Sequence, residues 1–590
     1  MSLSDAGLIE CQTQHGLLIA FGEFARHTGL IAGLMRVRIP QKIQRYPGAV
    51  LPQTKVVELY AGLLAGIEYL QDLNLGHHPL VKDPAVIEAW EQARFVHYSN
   101  VSRTLEACDE TTVQDLRAVI EDFNQPFIAE AIHDELRAGR ELVFDLDLMG
   151  QSVSSTSRTY PDVAFGSLRV DQEMRLGYQL ARVCVQTVRY GRLWLDGFQH
   201  PGNTVSVNCL KELVLAAEHH AGVRPRRRPE LVAQRIAALQ PLLQRLEAVC
   251  QRQTATLTDL QAQQTEWLGR RYVLEQQIKK TTNLAQKERV SKQILTLNQR
   301  LDKRPTQLAQ RQAVLTRSQE RWQQALAQQA GLHAWCNQLE QENRQNPNAP
   351  ICVCRQDAGF CSGENLTWQI EMGYQVETKS SSGKLTTALQ QRCSDQTRWT
   401  RVGQNAEMID WSDYRMKECP YPLRVGLERF QISDQPKHSV LILYRDTPAQ
   451  PDLPQWFLHY NSRQTIEAGN KQMKTVYHVQ HLMSHAQYGI QIQVLLTGLA
   501  CNQMQFIQPW LQLAAEKLTP QIESDLSSPK RMVRILANST ASVQRSSWST
   551  VLIFAPTSSA RDLKLCLHGL PLHQLNLGLF QPLQNVGANP

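Results

Sequence analysis

Apolar positions recur with a helical period through most of the first 138 residues. Residues 16–34 carry Leu17, Leu18, Ala20, Phe21, Phe24 and Ala25, and residues 56–73 carry Leu59, Tyr60, Leu63, Leu64, Ile67, Leu70 and Leu73, so both stretches are expected to be amphipathic helices. A short helix is expected from Tyr98, capped by Ser99 or Asn100, with Ser102, Arg103 and Thr104 projecting outward. At residue 141 the period changes to two. Leu142, Phe144, Leu146 and Leu148 then face one side of a strand, and Glu141, Val143, Asp145 and Asp147 the other. Strand-like runs follow at 175–190 and 191–197, then a turn-rich stretch around His200 to Asn203 and a helix over 211–221.

From 223 to 347 the pattern is helical again. Ile236, Leu239, Leu242 or Leu243, Leu246 and Val249 recur at three- and four-residue steps, as do Val290, Ile294, Leu297 and Leu301, and later Leu308, Val314 or Leu315, Trp322 and Leu326. With a turn near 279–283, this predicts a long antiparallel helical hairpin, interrupted or kinked at Pro305. Beyond it, an apolar strand over 351–356 ends in Asp357-Ala358-Gly359-Phe360, and a helix follows over 364–373. Further strands are expected at 375–378, 399–402, 425–432, 439–444 and 455–460, the last leading into a helix from Arg463. Residues 488–513 read as an apolar helix, 533–537 and 550–554 as short strands, 563–567 as helix or strand, and 576–590 as turns.

A chain of 590 residues with 42% hydrophobic content is expected to hold several domains and a substantial core. The absence of a run of about 18 apolar residues predicts no transmembrane helix. The first residues lack a basic start and apolar core, so no signal peptide is expected. The 13 cysteines are scattered, which suits a reducing cytoplasm. Cys352, Cys354 and Cys361 lie closest together, but no Cys or His pair at ligand spacing accompanies them, and structural thiols are expected. Basic residues collect at Arg36, Arg38, Lys42 and Arg45. The formal charge is +7, yet residues 224–346 hold 21 Lys and Arg against 10 Asp and Glu, so the remainder is slightly acidic. Two readings of the hairpin stay open: a solvated spacer or dimerisation arm, and a basic arm that grips duplex DNA by its phosphates.

Carboxylates inside an apolar strand are costly unless paired or metal-bound, which singles out Asp145 and Asp147. Asp357 sits at the carboxyl end of a strand before a glycine turn, where ligands commonly bind in such sheets; an aspartate that only caps the turn is the plainer alternative. On a helix, Arg463, Glu467, Lys471 and Lys474 share one face, continued by His478 and His481. Read alone, this is a solvated charged face. Its spacing says more: Tyr460, two residues, Arg463, three residues, Glu467, six residues, Lys474 resembles the signature around the third acid of bacterial insertion-sequence DDE transposases. Arg355-x-Asp357-x-Gly359-Phe360 resembles the second acidic motif of the same family. The resemblance spans about residues 15–580 apart from the basic hairpin, which departs from the family's compact cores.

The resemblance implies an α/β ribonuclease H-like core with a mixed sheet, an N-terminal helical DNA-binding domain, an inserted helical hairpin or coiled coil, and a β-rich insertion. The corresponding segments are 1–138 (DNA-binding), 139–222, 348–373 and 455–505 (core), 223–347 (hairpin), 374–454 (β-rich insertion) and 506–590 (C-terminal region). It also implies catalysis by Asp147, Asp357 and Glu467, with Asp145 as the alternative first acid. Together these would hold two Mg²⁺ ions, for which Mn²⁺ can substitute, cutting transposon ends and joining them to target DNA. The implied DNA contacts are Tyr460, Arg463, Lys471, Lys474, His478, Arg103, Arg226, Arg227, Arg228 and Trp411, with a buried core position as the alternative for Trp411 and a surface role as that for His478 and His481. The implied partners are double-stranded DNA, namely inverted-repeat ends and target, and a second copy of the chain. A cytoplasmic, nucleoid-associated location in a bacterium follows. No nucleotide cofactor is expected, since no Gly-x-x-x-x-Gly-Lys loop occurs. A metal-dependent nuclease that does not join ends, and an inactive DNA-binding coiled-coil scaffold, are the rival readings. If the hairpin grips phosphates, reversing charges along residues 224–304 should weaken DNA binding and flatten its dependence on salt; an unchanged slope in a salt titration would make it a protein–protein element.

Overall fold

A computed structural model describes residues 9–40, 49–168, 174–431, 436–447, 450–546, 549–556, 560 and 562–568. Lys42, Arg45, Ile432 and residues 576–590, on which expectations were placed, lie outside these. In chain order the strands are β1 Ile9–Thr13, β2 Leu142–Ser152, β3 Ala164–Ser167, β4 Met174–Thr187, β5 Gly191–Pro201, β6 Cys352–Gln356, β7 Gln375–Lys379, β8 Thr400–Arg401, β9 Ala406–Tyr414, β10 Leu423–Phe430, β11 Lys437–Tyr444, β12 Ala541–Arg545, β13 Ser549–Phe554 and β14 Lys564–His568. The helices that position the site are α1 Gly16–His27, α2 Pro52–Leu64, α3 Tyr98–Ala107, α4 Glu110–Arg137, α5 Ser206–Ala221, α6 Pro229–Lys280, α7 Leu284–Arg344, α8 Gly363–Glu371, α9 Leu453–Asn461, α10 Gln464–Thr475 and α11 Gln487–Ala514. No helix among the described residues is long and apolar enough to cross a membrane.

Two compact units result, one from residues 1–225 with 348–590 and one from 226–347. In the first, β5-β4-β2-β6-β7 form one side of a mixed sheet: β5, β4 and β2 are antiparallel neighbours, while β6 and β7 run parallel to β2. This arrangement is compatible with a ribonuclease H-like core. The sheet continues antiparallel through β11, β10, β9 and β8. β2 is strongly apolar because the sheet is covered on both faces; Leu142, Phe144 and Leu146 are fully buried. On one side lies α11, whose Phe506 stacks on Phe127 of α4 at 4.2 Å. Asn502 of α11 brackets β5, accepting from Trp194 N and donating to Trp194 O, both at 2.8 Å. At Gly498 the helix comes so near that a Cβ would sit 2.6 Å from the Trp194 ring.

The chain's two ends meet in a second sheet, β1-β12-β13-β14. The N-terminal helices are tied to α11 as well: Tyr60 Oη donates to Gln503 Oε1 at 2.6 Å, and Gln503 Nε2 donates to Phe21 O at 3.2 Å. In α3 the cap is His97 rather than Ser99 or Asn100, and Thr104 is buried instead of projecting outward.

The second unit is the expected hairpin, α6 and α7 turning at residues 281–283. Val290, Leu297 and Leu301, then Ala325, Leu332 and Leu339 of α7, and Leu243, Cys250 and Leu257 of α6, are buried at coiled-coil spacing along the seam between the two helices. α7 passes through Pro305 without a break; the continuous apolar seam outweighs a proline penalty of about 3 kcal/mol. Arg227 and Arg228 are buried, Arg227 Nε donating to Glu342 Oε2 at 2.7 Å. Of the Arg226–Arg228 run expected to meet DNA, only Arg226 is exposed; the other two belong to the hairpin's base. Arg304 is buried too, with its guanidinium over Trp267 at 4.2 Å. Charge reversal on the arm therefore belongs at exposed positions such as Arg226, Arg245, Arg252 and Lys279.

Two other elements differ from expectation. Residues 533–537 form the end of a short helix and a 3-10 turn rather than a strand, because Ser528 caps and Pro529 starts a helix. Residues 455–460 are helix α9, not a strand. Asp452 accepts from Gln455 N while Gln455 Oε1 accepts from Asp452 N, a capping box that starts the helix. Trp456, Phe457 and Tyr460 then fall on one face, packed with Met408, Leu441 and Leu443. Truncating Trp456 to Ala should lower the unfolding free energy by about 3–5 kcal/mol in a urea titration.

Candidate functional site: an acidic cleft at the ends of β2 and β6

Parallel pairing of β2 with β6 matches Leu146 with Gln356. The next residues along each strand, Asp147 and Asp357, are thus neighbours. β6 stops there, and Asp357 Oδ1 accepts from Ala358 N to start the turn Ala358–Phe360. Asp357 is exposed and Asp147 is nearly buried. α10 lies against β2, fixed by Ile466 and by Met473, which packs on Met149, Leu180 and Val479. Arg182 of β4 anchors it further, donating to Ile466 O at 2.7 Å. The exposed face of α10 then looks into an open cleft of about 1420 Å³ whose wall includes Asp147, Asp357, Glu467, Arg463, Lys471 and Lys474.

The two aspartates of β2 have different surroundings. Asp145 pairs in register with Arg355 and is fully buried. Arg355 binds it through two bonds, Nε to Oδ1 at 2.8 Å and Nη2 to Oδ2 at 2.9 Å, and Arg192 adds a third at Oδ2. Asp145, the alternative first acid, is therefore held inside the sheet and does not line the cleft. Arg355 also donates to His459 O at 2.6 Å and to Ser462 Oγ, which fixes the joint between α9 and α10. Asp147 faces the cleft. Arg463 Nη2 reaches its Oδ1 at 3.0 Å and also Leu146 O at 3.3 Å; Asn470 Nδ2 donates to its Oδ2. Glu467 is exposed, and its carboxylate has no hydrogen-bond or ion-pair partner among the described residues.

Tyr460 lines the cleft, but its hydroxyl donates to Gln356 O at 3.2 Å. Burial pushes the phenol well above its ordinary pKa. It braces the protein backbone just before Asp357 rather than presenting a free hydroxyl. Lys379, at the end of β7, stands 5.6 Å from the Tyr460 ring and joins the wall. Other expected contacts lie elsewhere. α10 ends at Thr475, so His478 and His481 leave its face; His478 adopts a left-handed backbone (φ 49°), and both approach Glu68. Arg103 is exposed on α3, where it bonds Ser99 O at 3.1 Å. Trp411 is half-buried on β9 opposite Val425, outside the cleft. Cys352 and Cys354 are buried thiols of β6, and no cysteine of the chain forms a disulfide.

Asn470, Lys379 and Arg182 were not singled out from sequence. Asn470 sits three residues after Glu467, so the helical period that grouped Arg463, Glu467 and Lys474 contained it. Lys379 and Arg182 come from other strands, and only the sheet brings them close. Among the described residues, two groups have metal-ligating atoms all within 4.8 Å of one another: Glu68, His478 and His481, and Glu121, His219 and His220. The three cleft acids share a wall without approaching that closely.

No family model matches this chain, and no curated protein matches it. Among solved structures, it is similar to a piggyBac transposase in a synaptic complex with hairpin DNA. Residue identity is 10%, the TM-score is 0.36, and the match covers 90% of this chain and 82% of the other. A likeness of that degree assigns neither fold nor function.

The contrast between the aspartates is measurable. Asp145→Ala leaves two arginines without their buried counter-charge and should cost about 3–5 kcal/mol of stability. Asp147→Asn, beside open solvent, should cost less. Chemical denaturation of both variants checks this.

Proposed function

We propose that the protein is a DNA transposase that cuts transposon ends and joins them to target DNA, with Asp147, Asp357 and Glu467 as its catalytic acids. The observation that supports this reading is the shared cleft: two aspartates on register-neighbouring parallel strands and a glutamate on a helix across from them, with Arg463, Lys471 and Lys474 on the same wall. The donor set suits Mg²⁺, since all three are hard oxygen ligands. Among the described residues both Glu467 oxygens are without partners, and each Asp147 oxygen keeps a second lone pair beside its bond to Arg463 or Asn470. When bound, Mg²⁺ supplies Lewis-acid polarisation of the phosphate and an activated water or 3′-hydroxyl.

The chain's own residues have distinct tasks in this reading. Arg463 and Asn470 hold the Asp147 carboxylate in place, so that the strand presents it in one orientation. Glu467 turns inward from its exposed position to join the aspartates. Lys379, Lys471 and Lys474 offer positive charge to DNA phosphates along the wall. Tyr460 and Arg355 fix the backbone on which Asp357 and α10 rest. The partner is double-stranded DNA, held by a homodimer that brings two ends together. The N-terminal helices, with Arg103 exposed on α3, supply a surface for reading those ends, and the hairpin's exposed cations supply another.

A strand-transfer assay tests this, using duplex ends taken from the DNA that flanks the gene, pre-cut, with Mg²⁺. Joined product is expected. Asp147→Asn, Asp357→Asn and Glu467→Gln should each reduce it by at least about 100-fold, the effect of losing several kcal/mol of charge stabilisation. Asn470→Ala should weaken Mg²⁺ activation by about 10–100-fold, as expected for a residue that orients a ligand. Cleavage without joining would favour a nuclease instead. Undiminished cleavage by Asp357→Asn and Glu467→Gln would sink the acid assignment, and a wild type that never cleaves would favour the scaffold.

A further inference from the structure

α5 joins two chemically different places. Its first turn borders the acidic cleft through Ser206. Its last turn, about 20 Å further along at 1.5 Å per residue, carries His219 and His220. There Glu121 of α4 meets His219, Oε1 to Nε2 at 3.1 Å, and Asp196 of β5 meets His220, Oδ2 to Nε2 at 3.4 Å. One ligand atom from each of Glu121, His219 and His220 lies within 4.8 Å of the other two.

The group borders a pocket of about 370 Å³ that shares no lining residue with the cleft. Two buried side chains of its wall, Asn124 (3% exposed) and Trp194 (4%), each carry a polar atom without a hydrogen-bond partner among the described residues: Asn124 Oδ1, an acceptor, and Trp194 Nε1, a donor. An unmet acceptor and an unmet donor in the wall of one pocket point to a bound species that meets both. Arg117 holds the other oxygen of Asp196, which leaves Oδ2 for His220. The last turn of a helix, with its unpaired carbonyls, also favours a cation.

We propose that Glu121, His219 and His220 form a transition-metal site of the Zn²⁺ class that pins the end of α5 to α4, with Asp196 of β5 beside it as the partner of His220. Two imidazole nitrogens beside one carboxylate select Zn²⁺ or Co²⁺ over Mg²⁺, which prefers oxygen alone, with water completing the coordination. A water on the ion donates to Asn124 Oδ1, and Trp194 Nε1 donates to a further water or anion in the pocket. The site is independent of the cleft and of its proposed chemistry.

Titrating the full chain with Co²⁺ in excess Mg²⁺ tests this through the visible absorption of the bound ion. The expected result is a saturable band that Zn²⁺ abolishes. It should vanish in the His219→Ala/His220→Ala variant and weaken at least about tenfold in Glu121→Gln. It should persist in Glu467→Gln and in His478→Ala/His481→Ala, which removes the other histidine group. Glu121→Gln keeps the side chain's shape, so a Zn²⁺-dependent rise in Tm seen in wild type and absent there guards against a folding defect. A band unchanged by the His219/His220 substitutions, a band lost with His478 and His481 instead, or a wild type with neither band nor Tm rise would overturn the proposal.

Discussion

The buried ion group of Asp145 with Arg355 and Arg192 is the constraint on which the site depends. Taking three charges out of water is expensive, and their mutual attraction roughly offsets that cost rather than adding much net stability. What the group secures is register. A one-residue slip of β2 against β6 would turn Asp145 to the opposite face and leave two guanidiniums buried without an anion. The register that avoids this also sets Asp147 beside Asp357. Because the same Arg355 holds His459 O and Ser462 Oγ, the start of α10 is tied to the strands that carry the aspartates. One arginine thus links all three elements from which the cleft is built.

The cleft's charges are close to balance. Three carboxylates face Arg463, Lys379, Lys471 and Lys474 across the same space. Arg463 neutralises the most buried acid, Asp147, so the sheet end can fold without a metal ion to separate the carboxylates. The other two acids, Asp357 and Glu467, are exposed to solvent. Burial therefore divides the acids into one held by protein partners on both oxygens and two that face solvent.

Much of this was legible in the sequence, and the misses have physical reasons. The switch from a 3.6-residue to a two-residue period located β2, and the long heptad pattern located the hairpin, since both are properties of single segments. The spacing from Tyr460 to Lys474 grouped Arg463, Glu467 and Lys474 because one helix carries them. Pairing across the chain was not legible. Nothing local separates Asp145 from Asp147; the difference lies in Arg355 and Arg192, 210 and 47 residues away. The apolar run at 455–460 passed for a strand because Trp, Phe and Tyr favour strands, whereas the Asp452–Gln455 capping box and the packing of Trp456 favoured a helix. Arg227 and Arg228 looked like a DNA-binding run because sequence shows charge but not burial. The small sheet was invisible for a similar reason: β1 meets β12 from the far end of the chain.

The hairpin's length has a consequence of its own. α6 has 52 residues, about 78 Å at 1.5 Å per residue, which equals the rise of about 23 base pairs of duplex at 3.4 Å each. Its helices contain only two glycines, Gly269 and Gly331, and run unbroken through their prolines. Such an arm acts as a calliper: whatever touches its tip and its base is held at a separation fixed by residue count. Deleting whole heptads from both helices would shorten that gauge in steps of about 10 Å while preserving the seam.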